Sequence, residues 1–121
     1  MLPAQHRLRS SADFSAVLRR RGRASAAAHL VILYANATPG RESDPARVGF
    51  VVSKAVGGSV VRNRTKRRLR EQCRGRLDRL RPGTDYVVRA LPAAAAADSA
   101  ALGSALDRAL TGLGPRWSAP R

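Results

Sequence analysis

The stretch between Val60 and Leu80 constrains the fold more than any other part of this 121-residue chain. At 100° per residue, its small and apolar side chains share one side of a helix; they are Thr65, Leu69, Cys73, Leu77 and Leu80. The opposite side, called the basic ridge below, consists of Asn63, Arg67, Arg70 and Arg74. The side chains that border the apolar stripe are Lys66 on one edge and Arg64 and Arg68 on the other. The sequence therefore predicts a long helix with one buried face, ended near Leu80 by the turn residues of "RPGTD".

The charge on this helix is one-sided. Residues 62–76 hold eight cations and one acid, Glu71. A solvated helix face usually mixes signs, because opposite charges one turn apart stabilise a helix by roughly 0.2–0.5 kcal/mol. Like-charged neighbours such as Arg67 and Arg70 destabilise it by a similar amount. An ordinary solvated face stays open as an alternative, but the excess of cations favours a counter-charge supplied by a partner.

The whole chain shares this imbalance, with a formal net charge of +15. Such a charge opposes compaction, so a polyanionic partner is expected, either nucleic acid or an anionic membrane surface. The membrane is disfavoured because no run of about 18 apolar residues exists and no apolar signal-peptide core follows Met1. The one cysteine, Cys73, is spaced from Leu69 and Leu77 as a core residue, and it forms no intramolecular disulfide. A cytoplasmic protein with no membrane partner is expected.

The remaining sequence predicts a single α+β domain. Helices are expected around Phe14, Val17 and Leu18, with Ser10 as the N-cap, and over residues 98–114. The predicted strands are 29–37, 46–53 and 85–91, with a weaker strand at 23–28 that would form a hairpin. The strand, long helix and strand in the middle have the length of a parallel crossover. Residues 113–121 are expected to be a disordered tail.

A catalytic centre within the protein is not expected. A metal-dependent nuclease needs converging carboxylates, and the acids are scattered: Asp13, Glu42, Asp44, Glu71, Asp78, Asp85, Asp98 and Asp107. A metal-free nuclease would use histidines as acid and base, but His6 lies near the start and His29 opens a strand. The sequence predicts a protein that binds a polyanion and has no catalytic residues and no metal site of its own.

The central segment "RVGFVVSKAVGGSVVRNRTKRRLRE" resembles the signature of the bacterial ribonuclease P protein subunit. That signature is an Arg-Asn-Arg core followed by Lys-Arg and a further Arg, after a strand that ends in Ser-Lys and a glycine-containing turn. The resemblance extends over residues 7 to about 112 and includes "ADFSAVLRRRG", "LVILYA" and "DYVVRA". A ribosomal or other structural RNA-binding protein of similar fold stays open as an alternative.

The resemblance implies both a fold and a function. The fold is an α-β-β-β-α-β-α two-layer sandwich over residues 1–112, like one domain of a small-subunit ribosomal protein, with a left-handed β-α-β crossover. The implied partners are a catalytic RNA subunit and precursor tRNA. The complex is an endoribonuclease that removes the 5′ leader of precursor tRNA. Its Mg²⁺ cofactor is bound mainly by the RNA, which also carries the chemistry. The oligomeric state is not implied.

The resemblance also implies site residues. The positions that match the family's basic motif and its strand-closing lysine are Lys54, Arg62, Asn63, Arg64, Lys66, Arg67 and Arg70. Two further arginines of the same helix, Arg68 and Arg74, are also predicted to bind RNA. The positions of a cleft for the single-stranded leader are Phe14 and Tyr34, although Phe14 could instead be a core residue of the first helix. Three positions depart from the family pattern: Leu18 is often aromatic, Ala55 is often basic and Gly58 is often Asn. The departure at Leu18 leaves Phe14 and Tyr34 as the expected stacking residues.

Overall fold

The computed structural model describes residues 2–19 and 21–119. Its main elements are α1 (Ser11–Arg19), β1 (Ala24–Ala28), β2 (Val31–Ala37), β3 (Arg47–Val51), α2 (Ser59–Arg74), β4 (Thr84–Ala90) and α3 (Ser99–Leu113). These strands form one sheet in the order β1-β2-β4-β3. The β1–β2 and β2–β4 pairs are antiparallel, and β3 lies parallel to β4. The predicted α+β fold is confirmed, including the weak β1 hairpin and the crossover from β3 through α2 to β4.

The two faces of the sheet are covered differently. Side chains alternate between faces along a strand, so Tyr86 and Val88 of β4 belong to the main core under α2 and α3, whereas Val87 points to the other face. On that other face, α1 packs with Val17 against Val87. Because α1 covers only part of this face, Tyr34 of β2 stays half exposed there.

Helix α2 is shorter than predicted. It ends at Arg74, not near Leu80, and a 3₁₀ turn at Leu77–Arg79 follows. Gly75 is a poor helix former, and Arg76 turns to Asp107 of α3, with Nε and Nη2 donating at 2.7 and 3.1 Å. The buried stripe itself is confirmed, since the side chains buried within α2 are those of Thr65, Leu69 and Cys73. Leu77 and Leu80 also pack on the core, but from outside the helix.

Helix α1 is fixed to the sheet near both ends. Ser10 caps it as predicted, with Oγ accepting from the Asp13 backbone N–H at 3.0 Å. The Asp13 carboxylate in turn lies 3.5 Å from Nη1 of Arg47, the first residue of β3. Farther along the helix, the Asn36 side chain donates to the Val17 carbonyl at 3.3 Å. These contacts hold the helix in one position above the sheet.

A buried carboxylate, Asp85 of β4, organises the end of the sheet below α1. It is 2% exposed and accepts two hydrogen bonds from Arg47, at 2.8 and 2.7 Å. Arg41 and Thr38 donate to it at 3.1 and 2.5 Å. A buried charge is tolerated only when it is paired and hydrogen-bonded, and these donors satisfy that condition. The bond to Asp85 raises the pKa of Arg47, which therefore stays charged and available to Asp13.

The expected disordered tail is ordered over residues 113–119, so that prediction is wrong there. Leu113 ends α3, and Pro115–Trp117 form a 3₁₀ turn. The Trp117 ring is buried, and its carbonyl accepts from the Tyr86 hydroxyl. Ser118 then forms an antiparallel bridge with Leu80. Burial of a ring as large as that of Trp117 stabilises the segment that carries it. Pro120 and Arg121 lie outside the described residues.

Candidate nucleic-acid interface

The basic ridge faces away from the core, as the helical wheel predicts. Its members, Asn63, Arg67, Arg70 and Arg74, are all exposed. The opposite side of α2 is buried, with Leu69 at 0% exposure. A 16-residue helix is about 24 Å long at its ~1.5 Å rise per residue. The ridge can therefore span several phosphates of a nucleic acid, although contact with RNA stays a prediction for each member.

Two predicted RNA-binding residues on α2 make contacts within the protein. Arg64 and Arg68 donate to the carbonyls of Ala95 and Ala97, at 3.4 and 2.8 Å. Both side chains are half-buried against the 3₁₀ turn that follows β4. They therefore form a border of the basic ridge whose guanidinium groups are already partly engaged. Lys54, in contrast, is exposed in the turn after β3, close in sequence to the start of α2.

An open cavity of about 630 Å³ lies between the N-terminal segment, β3 and α2. Its lining is Leu2, Arg7, Leu8, Arg9, Phe14, Val48, Gly49, Phe50, Lys66 and Arg70. Within the described part of the chain, four of these residues are cationic and none is acidic. The cavity thus extends the positive surface from the basic ridge to an aromatic ring, Phe14.

The sequence interpretation missed Arg7 and Arg9. The segment that carries them is neither a long helix nor a regular strand; it lies along the edge of β3, where Leu8 N–H donates to the Val48 carbonyl at 3.1 Å. An isolated parallel bridge between Arg7 and Val48 accompanies this bond. The sequence signal was only the local pair of cations in "HRLR", which has no periodicity that could place it beside α2.

The two predicted cleft aromatics lie on the same face of the sheet. Phe14 and Tyr34 are half-buried, and both pack against the small cluster of Leu8, Val17 and Val87. Phe14 is therefore partly a core residue and partly a wall of the cavity, and its contact with a leader stays a prediction. Tyr34 lies on the part of the face that α1 leaves open.

Cations also accompany Tyr34, and the sequence interpretation did not single them out. The guanidinium carbon of Arg23 is 5.1 Å from the centroid of the Tyr34 ring, a cation–π distance. On β4, Arg89 is exposed and pairs in register with Ile32, two register positions from the pair of Tyr34 and Val87 and therefore on the same face of the sheet. The open face, defined by Tyr34, Arg23 and Arg89, therefore combines an aromatic ring with positive charge.

The side chains on these surfaces are poor ligands for a metal ion, and the cysteine of the chain is not a reactive nucleophile. Mg²⁺ is held by oxygen ligands, usually carboxylates, whereas the ridge and the cavity present guanidinium and ammonium groups. Among the described residues, no three His, Cys, Asp or Glu side chains are grouped closely enough to hold a metal ion. Burial raises the pKa of the Cys73 thiol to about 12, so it stays protonated in the core. No helix in the same residues is long and apolar enough to cross a membrane.

Known proteins share both the sequence pattern and the fold. A family model described as Ribonuclease P matches residues 2–114. The chain belongs to the ribonuclease P protein family. The ribonuclease P protein component of Streptomyces avermitilis is 52% identical over 114 residues, which cover 91% of this chain and 93% of that relative. The family connects the chain with tRNA processing, RNA binding and nuclease activity of the ribonuclease P complex.

Solved structures give the same fold. The RNase P protein of Staphylococcus aureus matches with a TM-score of 0.76 at 24% identity, over 88% of this chain and 93% of that one. A mutant of the S. aureus RNase P protein with defective mRNA degradation activity also matches, with a TM-score of 0.76 at 25% identity. That match covers 88% of this chain and 86% of the mutant. The mixed α+β architecture is thus that of ribonuclease P proteins.

Proposed function

We propose that this chain is the protein subunit of ribonuclease P, which acts in the cytoplasm with a catalytic RNA to remove the 5′ leader of precursor tRNA. One observation carries the proposal beyond family membership: Lys66 and Arg70 line the same cavity as Phe14. Groups that bind phosphates and a ring that can stack on a base therefore form one continuous surface. Such a combination suits RNA with both structured and single-stranded parts.

The chemistry of the side chains supports a division of labour between the protein and the RNA. The exposed surfaces described above offer cations, so the protein neutralises phosphates, and the catalytic RNA binds Mg²⁺ and carries out the cleavage. Where the substrate meets the RNA subunit, phosphates of two polyanions crowd together and repel. Cations of the ridge reduce this repulsion and release counterions, which strengthens binding most at low salt. The protein thereby lowers the Mg²⁺ concentration that the RNA needs.

The leader is proposed to lie across the open face toward Phe14. Unpaired bases stack on aromatic rings at about 1–3 kcal/mol per base, with little sequence preference. Tyr34 offers such a ring, and Arg23 and Arg89 lie beside it for the leader phosphates. Phe14, at the cavity, offers the second ring. Arg70 of the basic ridge lies at the end of this path, and the other ridge residues, Asn63, Arg67 and Arg74, remain available to the catalytic RNA and the body of the substrate.

Reconstitution tests the proposal. Rigorously RNA-free protein, the cognate catalytic RNA and their mixture are each incubated with precursor tRNA over a series of Mg²⁺ concentrations. We expect no cleavage by the protein alone, and leader removal at low Mg²⁺ only in the mixture. The RNA-free protein is also incubated with an mRNA, because the matched S. aureus mutant is described as defective in mRNA degradation activity. Cleavage of precursor tRNA by the RNA-free protein would overturn the proposed division of labour.

A further inference from the structure

Gly49, in the middle of β3, has no backbone reason to be glycine. Its φ is not among the positive values of the described residues, so any residue could adopt its conformation. Glycine also weakens a strand, and within one it often marks a place where another group approaches closely. Here the approaching group is Phe14. A Cβ at position 49 would lie 2.3 and 2.5 Å from Cζ and Cε1 of the Phe14 ring, and 3.1 Å from the Leu8 Cβ.

The Phe14 ring, and not its helix, would have to move to relieve such a clash. Helix α1 is held on the sheet by the Asp13–Arg47 ion pair at 3.5 Å and by the bond from Asn36 to the Val17 carbonyl at 3.3 Å. The atoms in conflict are at the far end of the Phe14 side chain, which can rotate. One direction open to the ring is the cavity that Phe14 already lines.

We infer that Gly49 is a positioning residue: it receives the edge of the Phe14 ring, so that the ring lies against the strand and the cavity stays open beside Lys66 and Arg70. The inference rests on the proposed function, because the position of the ring matters only if RNA binds there. A side chain at position 49 displaces the ring toward the cations. A base could then no longer stack on Phe14 while its phosphates contact Lys66 and Arg70.

A double-mutant cycle tests this coupling in the full-length protein reconstituted with the cognate catalytic RNA. The variants are Gly49→Ala, Phe14→Leu and the double mutant, because leucine lacks the ring atoms that meet a Cβ at position 49. Gly75→Ala is the matched control, since a Cβ there would meet only the Gln72 carbonyl oxygen, at 3.8 Å. Binding of precursor tRNA is measured with a one-nucleotide leader and with a leader of several nucleotides.

We expect Gly49→Ala to reduce the protein's contribution to binding of the long leader by roughly 5- to 100-fold, the range for one lost stacking contact. The short leader should change little, and Gly75→Ala should match the wild type with both. The double mutant should bind like Phe14→Leu alone, because the ring through which Gly49 acts is absent. Losses that multiply in the double mutant would overturn the inference. So would a loss that is equal for both leaders.

Folding is followed in parallel by circular dichroism during thermal unfolding. If Gly49→Ala fails to fold, recovery of the fold in the double mutant establishes the steric pairing, and failure to recover overturns it. The positioning role of Gly49 and the proposed leader contact can each be contradicted independently of the other. A wild-type protein that gives no gain for long leaders contradicts the proposed leader contact. In that case, the melting temperatures of the cycle still decide whether Gly49 positions the Phe14 ring.

Discussion

At the scale of single residues, Asp107 shows how a carboxylate can contribute to folding in a chain with a net charge of +15. Arg76 and Arg79 donate to it, and these bonds lower its pKa from the ordinary 3.8 to about 2. The charged form is therefore the stabilising one. Asp107→Asn should reduce the free energy of unfolding at pH 7 by about 0.5–1 kcal/mol, a value limited by solvent screening. Urea unfolding measures the difference.

The sign of the pH dependence follows from that pKa. Because the folded-state value lies below the unfolded one, the stabilisation is fully present above about pH 4 and disappears as the pH falls toward 2. The gap between wild type and Asp107→Asn should close over this window. Asp78→Asn is the matched control, because it removes the same charge from an exposed position between the two arginines. An equal loss of stability in both variants would contradict a specific role for Asp107.

Residue roles on α2 could be predicted only in part. Arg64 and Arg67 both match the basic motif, which therefore predicts the same RNA-binding role for both. In the structure Arg67 is exposed, whereas Arg64 is half-buried and donates to the Ala95 carbonyl. A helical wheel places Arg64 on the flank of the helix but cannot show what lies beside that flank. The segment that contacts this flank contains Ala95 and Ala97 and lies far along the chain. Nothing in its sequence indicates that it packs against α2. Its contact with α2 is therefore known only from the structure.

At the scale of elements, the two faces of α2 should fail in different ways. Leu69 is fully buried, so Leu69→Ala should lower the free energy of unfolding by roughly 2–5 kcal/mol. Arg67→Ala should leave stability unchanged or slightly higher, because like-charge repulsion along the ridge falls. It should instead weaken RNA binding. The slope of log affinity against log salt should become shallower by about 0.7–0.9 for each lost phosphate contact.

Urea unfolding and filter binding over a salt series separate these outcomes. Glu71→Gln serves as a surface control, since it is exposed on the same helix and removes no cation. A sharp loss of stability in Arg67→Ala, together with an unchanged salt slope, would mean that the ridge has a structural role. Binding that is weakened equally by Leu69→Ala at temperatures where the protein is fully folded would also contradict the assignment of the faces.

The elements themselves were largely predictable, because their signals are local. Alternation and β-rich composition predict β2, β3 and β4. A helix is predicted from residue 98, and the structure has Asp98 as the N-cap of α3, accepting from Ala101 N–H at 2.8 Å. The end of α2 was not predictable, because the apolar spacing continues to Leu80 although the helix ends at Arg74. The tail was misjudged for a similar reason. Its order depends on Trp117 meeting Tyr86, which is 31 residues earlier in the chain.

At the scale of the whole molecule, the arrangement of surfaces matters more than the net charge. Helices α2 and α3 cover one side of the sheet, and α1 covers the other only in part. The basic ridge and the open face therefore belong to different layers, with the cation-lined cavity between the N-terminal segment and α2. The proposed function assigns structured RNA to the basic ridge and a single strand to the open face. Net charge alone gives no reason for this assignment, which rests on the position of the aromatic rings.

This arrangement predicts how the protein's effect depends on leader length. The gain in affinity from adding the protein to the catalytic RNA should grow as the 5′ leader lengthens from one nucleotide to several. It should stop growing once the open face is filled, and mature tRNA should gain little. Because one stacked base contributes about 1–3 kcal/mol, Tyr34→Ala should reduce the gain for long leaders by roughly 5- to 100-fold. The effect should fall toward the low end of this range, since Leu18 lies at a position that the family resemblance marks as often aromatic.

Binding of a leader-length series to the RNA alone and to the reconstituted complex measures this gain. Tyr86→Phe is not a suitable control, because the Tyr86 hydroxyl bonds to the tail within the core. Tyr34→Phe is suitable, since it keeps the stacking ring and removes only the hydroxyl, and it should behave like the wild type. If the gain is the same at every leader length, the protein acts only through the phosphate charges of the basic ridge. The open face would then have no role in binding the leader, because stacking must scale with the number of bases within reach.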